Sequence, residues 1–306
     1  MTTGASGRFG AGRGETGRVD DGAQAAVAAR MADAAALGLV APPDAERVRG
    51  TTLADPDWTA AVLTTRGHRL RTDDRRVSAT LWWYSVSTVL LTPALAGLVT
   101  GRLLSPRLTD TVVHSLPGYM PIAATTCAAA RTADVVNELD ATLSVVVAAV
   151  AEAGRMRERP LQAITTDTLA NRLLALGRAI GEVPAATALA APLAAALGLP
   201  APRYVDVPAG GGQVRFTRRA SCCLIDRLPH ESTCTSCPAR EPATRQVLLE
   251  DVAAQMPADW YEQRQAPTAR SARRAAPTAS RRASIPSPVT AETVTADGWA
   301  SRSPVT

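Results

Sequence analysis

Residues 77–101 contain no charged side chain, and this stretch is long enough to cross a bilayer as a helix. Its several Ser and Thr residues and Pro93 lower the hydropathy, and the two acidic and two basic residues just before it give no positive-inside signal. We therefore predict a buried helix of a soluble protein and no stable membrane span. We interpret Trp82, Trp83 and Tyr84, within this stretch, as core anchors rather than as a platform for stacking a cofactor.

The rest of the core must be mainly aliphatic, because hydrophobic residues make up 46% of the chain but aromatic residues only 4%. Ala, Leu and Val in this proportion favour helices over a sheet of aromatic and β-branched pairs. The sequence therefore predicts a mostly α fold with a small β component (α+β). Helical patterns are predicted at residues 23–39, 57–63, 73–91, 134–157, 166–180, 185–197 and 242–256. Pro93 is expected to kink or end the third of these helices, and Pro192 to interrupt the sixth.

The small β component is predicted in two places. Residues 102–128 mix spaced aliphatics with Thr, Ser, Gly and Pro, which is typical of short strands and turns. Residues 204–207 and 213–216 flank three consecutive glycines and predict a hairpin. The glycines lack the Lys-Ser/Thr continuation of a phosphate-binding loop, so we interpret them as a turn.

Composition divides the chain into four regions. Residues 1–21 and the basic tail 265–306 are predicted to be disordered, because neither has enough apolar residues to offset the entropy of ordering. Residues 22–217 are predicted to form a mostly helical body, and residues 218–264 a C-terminal region that contains most of the cysteines. The first region has no apolar segment typical of a secretory signal, so we expect the protein to be cytoplasmic.

Four of the five cysteines fall within sixteen positions: Cys222 and Cys223 are adjacent, ten residues follow, and Cys234 and Cys237 form a Cys-x-x-Cys motif. In the cytoplasm such a cluster indicates a metal or redox site rather than disulfides. A structural zinc site takes four thiolates around one ion, whereas a [2Fe–2S] cluster takes two thiolates on each iron. The spacing alone leaves these two possibilities evenly balanced, while a dithiol redox motif would leave two cysteines without a role.

The segment from Arg219 to Pro238 resembles the C-terminal cluster motif of the FhuF-like ferric-siderophore reductases. The resemblance rests on Cys-Cys, ten residues, Cys, two residues, Cys, on basic residues before the pair, and on a proline after the last cysteine. Residues 168–173 are similar to the usual lead-in helix of that family, although less specifically. The resemblance covers about twenty residues and shifts the balance strongly towards a [2Fe–2S] cluster.

The resemblance implies that all four cysteines ligate a [2Fe–2S] cluster and that the protein reduces Fe(III) held by a siderophore. The expected partners are a ferric siderophore, bound by the helical body, and a separate electron donor, such as a reductase, a ferredoxin or a small reductant; nucleic acid is not expected. A siderophore pocket near Trp82, Trp83 and Tyr84 is a hypothesis. One alternative is a module that binds protein or nucleic acid and is stabilised by a zinc ion on the four cysteines. The other is a non-catalytic [2Fe–2S] sensor.

Side chains near the cysteines lead to further expectations. Arg218, Arg219 and Arg227 would stabilise the more negative reduced cluster or attract an anionic chelate if they contact the site, and otherwise they are solvated surface residues. His230 is expected to be a surface residue of the loop rather than a ligand. Cys127, next to three alanines, is expected to be a small buried apolar residue.

Overall fold

The computed structural model describes residues 22–129, 131–210, 212–229 and 231–256. Helices account for 56% and strands for 13%, which confirms a mostly α fold with a small β component. The segments expected to be disordered, 1–21 and 265–306, lie outside the described residues, as does His230. The limits proposed for the four regions remain predictions.

The elements follow one another in an order that places the small sheets between helices. The helices are α1 (Gly22–Ala28), α2 (Pro56–Leu70), α3 (Arg75–Thr100), α4 (Thr132–Ala153), α5 (Glu158–Ile180), α6 (Val183–Ala188), α7 (Ala190–Ala196) and α8 (Pro242–Ala254). The strands are β1 (Glu46–Arg49), β2 (Val112–Leu116), β3 (Met120–Thr125), β4 (Tyr204–Ala209) and β5 (Gly212–Thr217). Short 3₁₀ helices lie at Gly50–Ala54, Leu108–Asp110 and Ile225–Arg227.

The centre of the fold is the packing of α3 against α5. The indole N–H of Trp83 donates to the carbonyl of Leu161 at 2.9 Å, and the hydroxyls of Ser87 and Thr168 lie 3.2 Å apart. Trp82 and Trp83 are almost fully buried, which confirms them as core anchors. By length and composition α3 could also cross a membrane, but 72% of its most apolar window is buried inside the protein, as in a core helix.

The helix starts follow the sequence closely, whereas Pro93, expected to kink or end α3, does not end it. Asp55 and Asp74 cap α2 and α3, each accepting two backbone N–H groups. Pro93 removes one helical hydrogen bond, which costs about 3 kcal/mol in an isolated helix. The helix nevertheless continues to Thr100, because the residues after the proline are buried in the core and their burial offsets that cost.

The predicted helix at 23–39 is too long, since α1 ends at Ala28 and turns follow. The chain has to return to the sheet: Gly38 adopts a φ of +79° and lies so close to β3 that an added Cβ would be 2.9 Å from the carbonyl oxygen of Ile122. Gln24 fixes α1 on the same strand by donating to Ala124 and accepting the N–H of Thr126. These contacts override the helix propensity of the alanines.

The predicted helix at 185–197 is interrupted, as expected, but the break lies at Leu189 between α6 and α7 rather than at Pro192. Pro192 has no N–H to donate to residue 188, and its ring would clash with that carbonyl in a continuous helix. The break therefore falls at Leu189, three residues before the proline and directly after α6.

The strands confirm the expected short β elements. β1, β2 and β3 form an antiparallel sheet in that order, and β3 packs on α3. β4 and β5 form a separate antiparallel hairpin with Gly210 at its turn. The hairpin packs through Val207 and Val214 against Leu249 and Ala253 of α8. The hairpin and α8 thus lie on either side of the cysteine segment in the sequence and contact each other.

Candidate iron–sulfur site

A buried carboxylate fixes the backbone that leads into the first cysteine pair. Asp167, in α5, accepts the backbone N–H groups of Ala220 at 2.9 Å and of Ser221 at 2.8 Å, and also the hydroxyl of Ser221 at 2.5 Å. Both Asp167 and Ser221 are buried. The central helix of the fold therefore determines where Cys222 begins.

The backbone turns immediately after Cys223. Leu224 has a φ of +61°, in the left-handed region that residues other than glycine rarely adopt. This conformation starts the 3₁₀ helix Ile225–Arg227 and directs the N–H of Leu224 to the Sγ of Cys222 at 3.4 Å. The backbone thus bends at the residue after the vicinal pair, and Cys223 and Ile225 pack against Val77 and Leu81 of α3.

Arginines hold the Cys-x-x-Cys turn through its carbonyl groups. The Nε of Arg240 donates to the carbonyl of Cys234 at 3.1 Å, and its guanidinium also contacts the carbonyl of Thr233. Arg245, in α8, donates to the carbonyl of Cys237 at 3.2 Å. Since α8 packs on the β4–β5 hairpin, both cysteine pairs are attached to the same part of the structure.

The structure brings the four predicted sulfur ligands together as two pairs. The Sγ atoms of Cys222 and Cys237 are 3.9 Å apart, and Cys234 donates a hydrogen bond to Cys223. Two thiolates bound to one tetrahedral iron at about 2.3 Å would be separated by roughly 3.8 Å. The 3.9 Å separation between the Sγ atoms of Cys222 and Cys237 therefore fits two ligands of one iron.

Neither spatial pair joins two cysteines of the same motif. Each spatial pair instead combines one cysteine of the vicinal motif with one of the Cys-x-x-Cys motif. Cys223 and Cys237 are buried, whereas Cys222 and Cys234 are partly exposed. Each pair therefore has one buried and one partly exposed sulfur, and the site lies close to the surface.

Arg219 is the one of the three predicted arginines that contacts the cysteines. Its guanidinium donates to the Sγ of Cys234 at 3.5 Å, lies over the ring of Tyr84 and is 3.8 Å from Asp167. The side chains of Arg218 and Arg227 are exposed. The pKa of Cys223 is lowered, first by the hydrogen bond from Cys234 and then by the charge of Arg219, whereas that hydrogen bond and burial raise the pKa of Cys234.

A cavity of about 240 Å³ opens beside this site, between α3, α5 and β3. Cys223 and Cys234 form part of its wall, together with Tyr84, Arg66 and Arg172. Of the three aromatic residues predicted near a pocket, Tyr84 lines the cavity while Trp82 and Trp83 belong to the core. The cavity therefore gives a small molecule access to the neighbourhood of two sulfur atoms.

Two residues near the site could not be identified from their sequence positions, and one expectation needs correction. Asp167 lies in a helix more than fifty residues before the cysteines, and Arg66 lies still earlier. Cys127, expected to be buried, is half-buried and lies beside Ser105 near the sheet, apart from the other cysteines.

Residues 219–238 match the family model described as the FhuF 2Fe-2S C-terminal domain. No curated protein is significantly similar to the chain. The matched segment begins at Arg219 and ends just after Cys237, so it contains all four clustered cysteines. The match and the paired sulfur atoms support a [2Fe–2S] cofactor. The family match is confined to residues 219–238, which include the four clustered cysteines.

Proposed function

We propose that this protein is a cytoplasmic ferric-siderophore reductase that uses Cys222, Cys223, Cys234 and Cys237 as the ligands of a [2Fe–2S] cluster. The observation that carries this proposal is the cavity whose wall includes Cys223 and Cys234. The FhuF-type domain makes an iron reductase of this family the activity to expect. A substrate in this cavity would lie beside the redox site.

In the proposed reaction, a separate one-electron donor is oxidised and the Fe(III) of the chelate is reduced to Fe(II). A [2Fe–2S] cluster supplies one-electron chemistry when it is bound. The hard oxygen donors of a siderophore hold Fe(II) less tightly than Fe(III), so reduction favours release of the iron. This chemistry requires no general acid, base or nucleophile from the protein.

The tasks left to the protein are positioning and electrostatic stabilisation. Asp167, Arg240 and Arg245 fix the backbone around the four cysteines. Arg219 places a positive charge beside Cys223 and Cys234, where the reduced state has more negative charge. The partial exposure of Cys222 gives an external electron donor a short path to the site.

The first test is the visible spectrum of the full-length protein purified without oxygen. We expect absorbance between about 300 and 600 nm that decreases with dithionite, as for a [2Fe–2S] centre. The reduced protein should then deliver Fe(II) from a ferric siderophore to a colorimetric Fe(II) chelator. A colourless protein that binds zinc would overturn the proposal, and a coloured protein that reduces no ferric chelate would indicate a sensor.

The ligand assignment is tested separately by Cys222→Ser, with Cys127→Ser as the matched control. Cys222→Ser should lose most of the visible absorbance and bound iron, because one thiolate ligand is missing. Cys127→Ser should keep both, since Cys127 lies apart from the cluster site. Full absorbance in the Cys222→Ser protein would show that the assignment is wrong.

A further inference from the structure

The cavity beside the cysteines contains two cations without an anionic partner among the described residues. Arg66, in α2, is 4% exposed, yet its Nε has no hydrogen-bond partner there. Its guanidinium donates to the carbonyl of Tyr119 at 3.0 Å and lies over the ring of Trp82. A buried polar atom without a partner is costly, so it indicates a place where a ligand can bind.

Arg172, in α5, is the second cation of the cavity wall and is half-buried. Burial lowers the pKa of both Arg66 and Arg172 to about 10, and neither pKa is raised by a nearby carboxylate or thiolate. Arg219, by contrast, is next to Cys223, Cys234 and Asp167. The arginine that balances the charge of the cysteine site is therefore Arg219, and the two cavity arginines remain available for an external anion.

The remaining wall of the cavity is mainly apolar, with a few hydroxyl and amide groups. Leu81, Val89 and Ile122 provide apolar surface, while Thr168 and Asn171 add polar groups on the side of α5. Pockets that enclose a whole drug-sized ligand measure about 300–1,000 Å³. A volume of about 240 Å³ therefore suits one arm of a larger chelate rather than the entire molecule.

We propose that this cavity receives an anionic arm of the ferric chelate, a catecholate or carboxylate, and that Arg66 and Arg172 are its cationic contacts. The inference rests on the proposed function and specifies its substrate class. Anionic chelates are selected because each arginine pairs with an oxygen anion in a partly desolvated site. Cationic or neutral hydroxamate chelates gain no such pairing and leave the arginines unpaired.

Binding is tested with gallium(III) chelates, which resemble the ferric complexes in charge and shape but are not reduced. Trianionic gallium tris(catecholate) and neutral gallium tris(acetohydroxamate) are titrated into the oxidised, cluster-loaded protein, with calorimetry as the readout. We expect the catecholate complex to bind at least tenfold more tightly. Arg172→Gln should weaken catecholate binding by about ten- to a hundredfold, since a hydrogen bond to a charged group is lost, with little effect on the neutral complex.

Matched variants separate this effect from misfolding. Arg159→Gln removes an exposed arginine from the same helix and should bind like the wild type. Arg172→Lys keeps the charge and should recover part of the affinity. Arg66→Gln is compared only if its circular dichroism and cluster absorbance match those of the wild type. Equal affinity for both complexes, or unchanged catecholate binding in Arg172→Gln, would overturn the inference.

The binding measurement is independent of the reductase activity. A protein that binds gallium catecholate through Arg172 but reduces no ferric chelate would support the anion site and refute the proposed function. If the protein reduces ferric catecholates and the Arg172→Gln variant does so with the KM of the wild type, the function is supported and this anion site is refuted.

Discussion

Asp167 Oδ2 accepts the backbone N–H of Ser221 at 2.8 Å, so a carboxylate in the central helix α5 holds the chain directly before Cys222. Three N–H or O–H groups from two successive residues converge on this one side chain. Their geometry requires an acceptor-only group, which a carboxylate is and an amide is not. The position of the first cysteine pair is therefore set by the core of the helical body.

Replacing Asp167 by Asn should weaken the cluster site. The new NH₂ group would face backbone donors or leave one of them unsatisfied, and the free energy of unfolding should fall by about 1–3 kcal/mol. Visible absorbance should also decay faster when a chelator is added. Urea unfolding and the decay rate are the measurements, with Asp140→Asn, exposed on α4, as the control. Equal decay rates in wild type and Asp167→Asn would contradict the positioning role.

Arg219 should control the reduction potential of the centre. Its guanidinium donates to Cys234 Sγ at 3.5 Å, and its charge favours the more negative reduced state. Arg219→Gln should lower the midpoint potential by about 60 mV, a tenfold change in the equilibrium constant of a one-electron couple. A redox titration followed by visible absorbance measures the shift.

Two controls make the potential measurement specific. Arg219→Lys keeps a positive charge and should retain part of the potential, while Arg227→Gln removes an exposed charge and should change it little. A potential that is unchanged or higher in Arg219→Gln would rule out this role for the guanidinium.

The clustering of the four cysteines can be predicted from the sequence because it is encoded by local spacing. Cys222 through Cys237 lie within one short segment, and the turn at Leu224 adapts the backbone to that spacing. Asp167 and Arg66 cannot be found in this way, because their proximity to the cysteines depends on how α2 and α5 pack. Sequence patterns predict that each helix exists but do not define which distant side chains meet.

The errors in helix limits have the same origin. Pro93 has a strong local preference to end a helix, yet burial of the following turns extends α3 to Thr100. The alanines of residues 29–37 have a strong local preference to form a helix, yet the close contact of Gly38 with β3 prevents it. Pro192 shows the opposite case, in which the local steric effect prevails and the helix breaks. The outcome depends on the area buried, which a local pattern does not report.

Gly97 should be intolerant of a side chain, because α3 contacts the following loop closely at this point. A Cβ there would lie 2.7 Å from the carbonyl oxygen of Arg102 and 2.8 Å from the backbone N of Leu104. Gly97→Ala should therefore lower the free energy of unfolding by about 1–3 kcal/mol. At an exposed position inside a helix, Gly→Ala stabilises by about 1 kcal/mol. The sign of the change in the free energy of unfolding therefore distinguishes a close contact at Gly97 from an open position.

Urea unfolding measures the effect of Gly97→Ala, and Thr64→Ala provides the comparison. Thr64 is exposed on α2, so its replacement improves helix propensity without adding a contact. We expect Thr64→Ala to be neutral or slightly stabilising. If Gly97→Ala were also stabilising, the close packing of α3 on residues 102–104 would be incorrect.

His114 should make the stability of the sheet depend on pH. It lies in β2, is largely buried, and its Nε2 is 2.9 Å from the hydroxyl of Thr125, while Arg47 of β1 is paired opposite it. Burial and the charge of Arg47 lower the pKa of His114 below its ordinary value of 6.5. The folded protein therefore favours the neutral imidazole.

The sign of the pH effect follows from that lowered pKa. Above pH 6.5 the imidazole is neutral in both the folded and unfolded chains, so its contribution to the free energy of unfolding is fully present. As the pH falls below 6.5, the unfolded chain takes up the proton first, and the free energy of unfolding decreases until the folded pKa is passed. His114→Gln should reduce the dependence of the free energy of unfolding on pH, measured by urea unfolding between about pH 5 and 7. The control variant His68→Gln, at an exposed position of α2, should leave that dependence unchanged. An identical slope in wild type and His114→Gln would show that this imidazole does not contribute to the pH dependence.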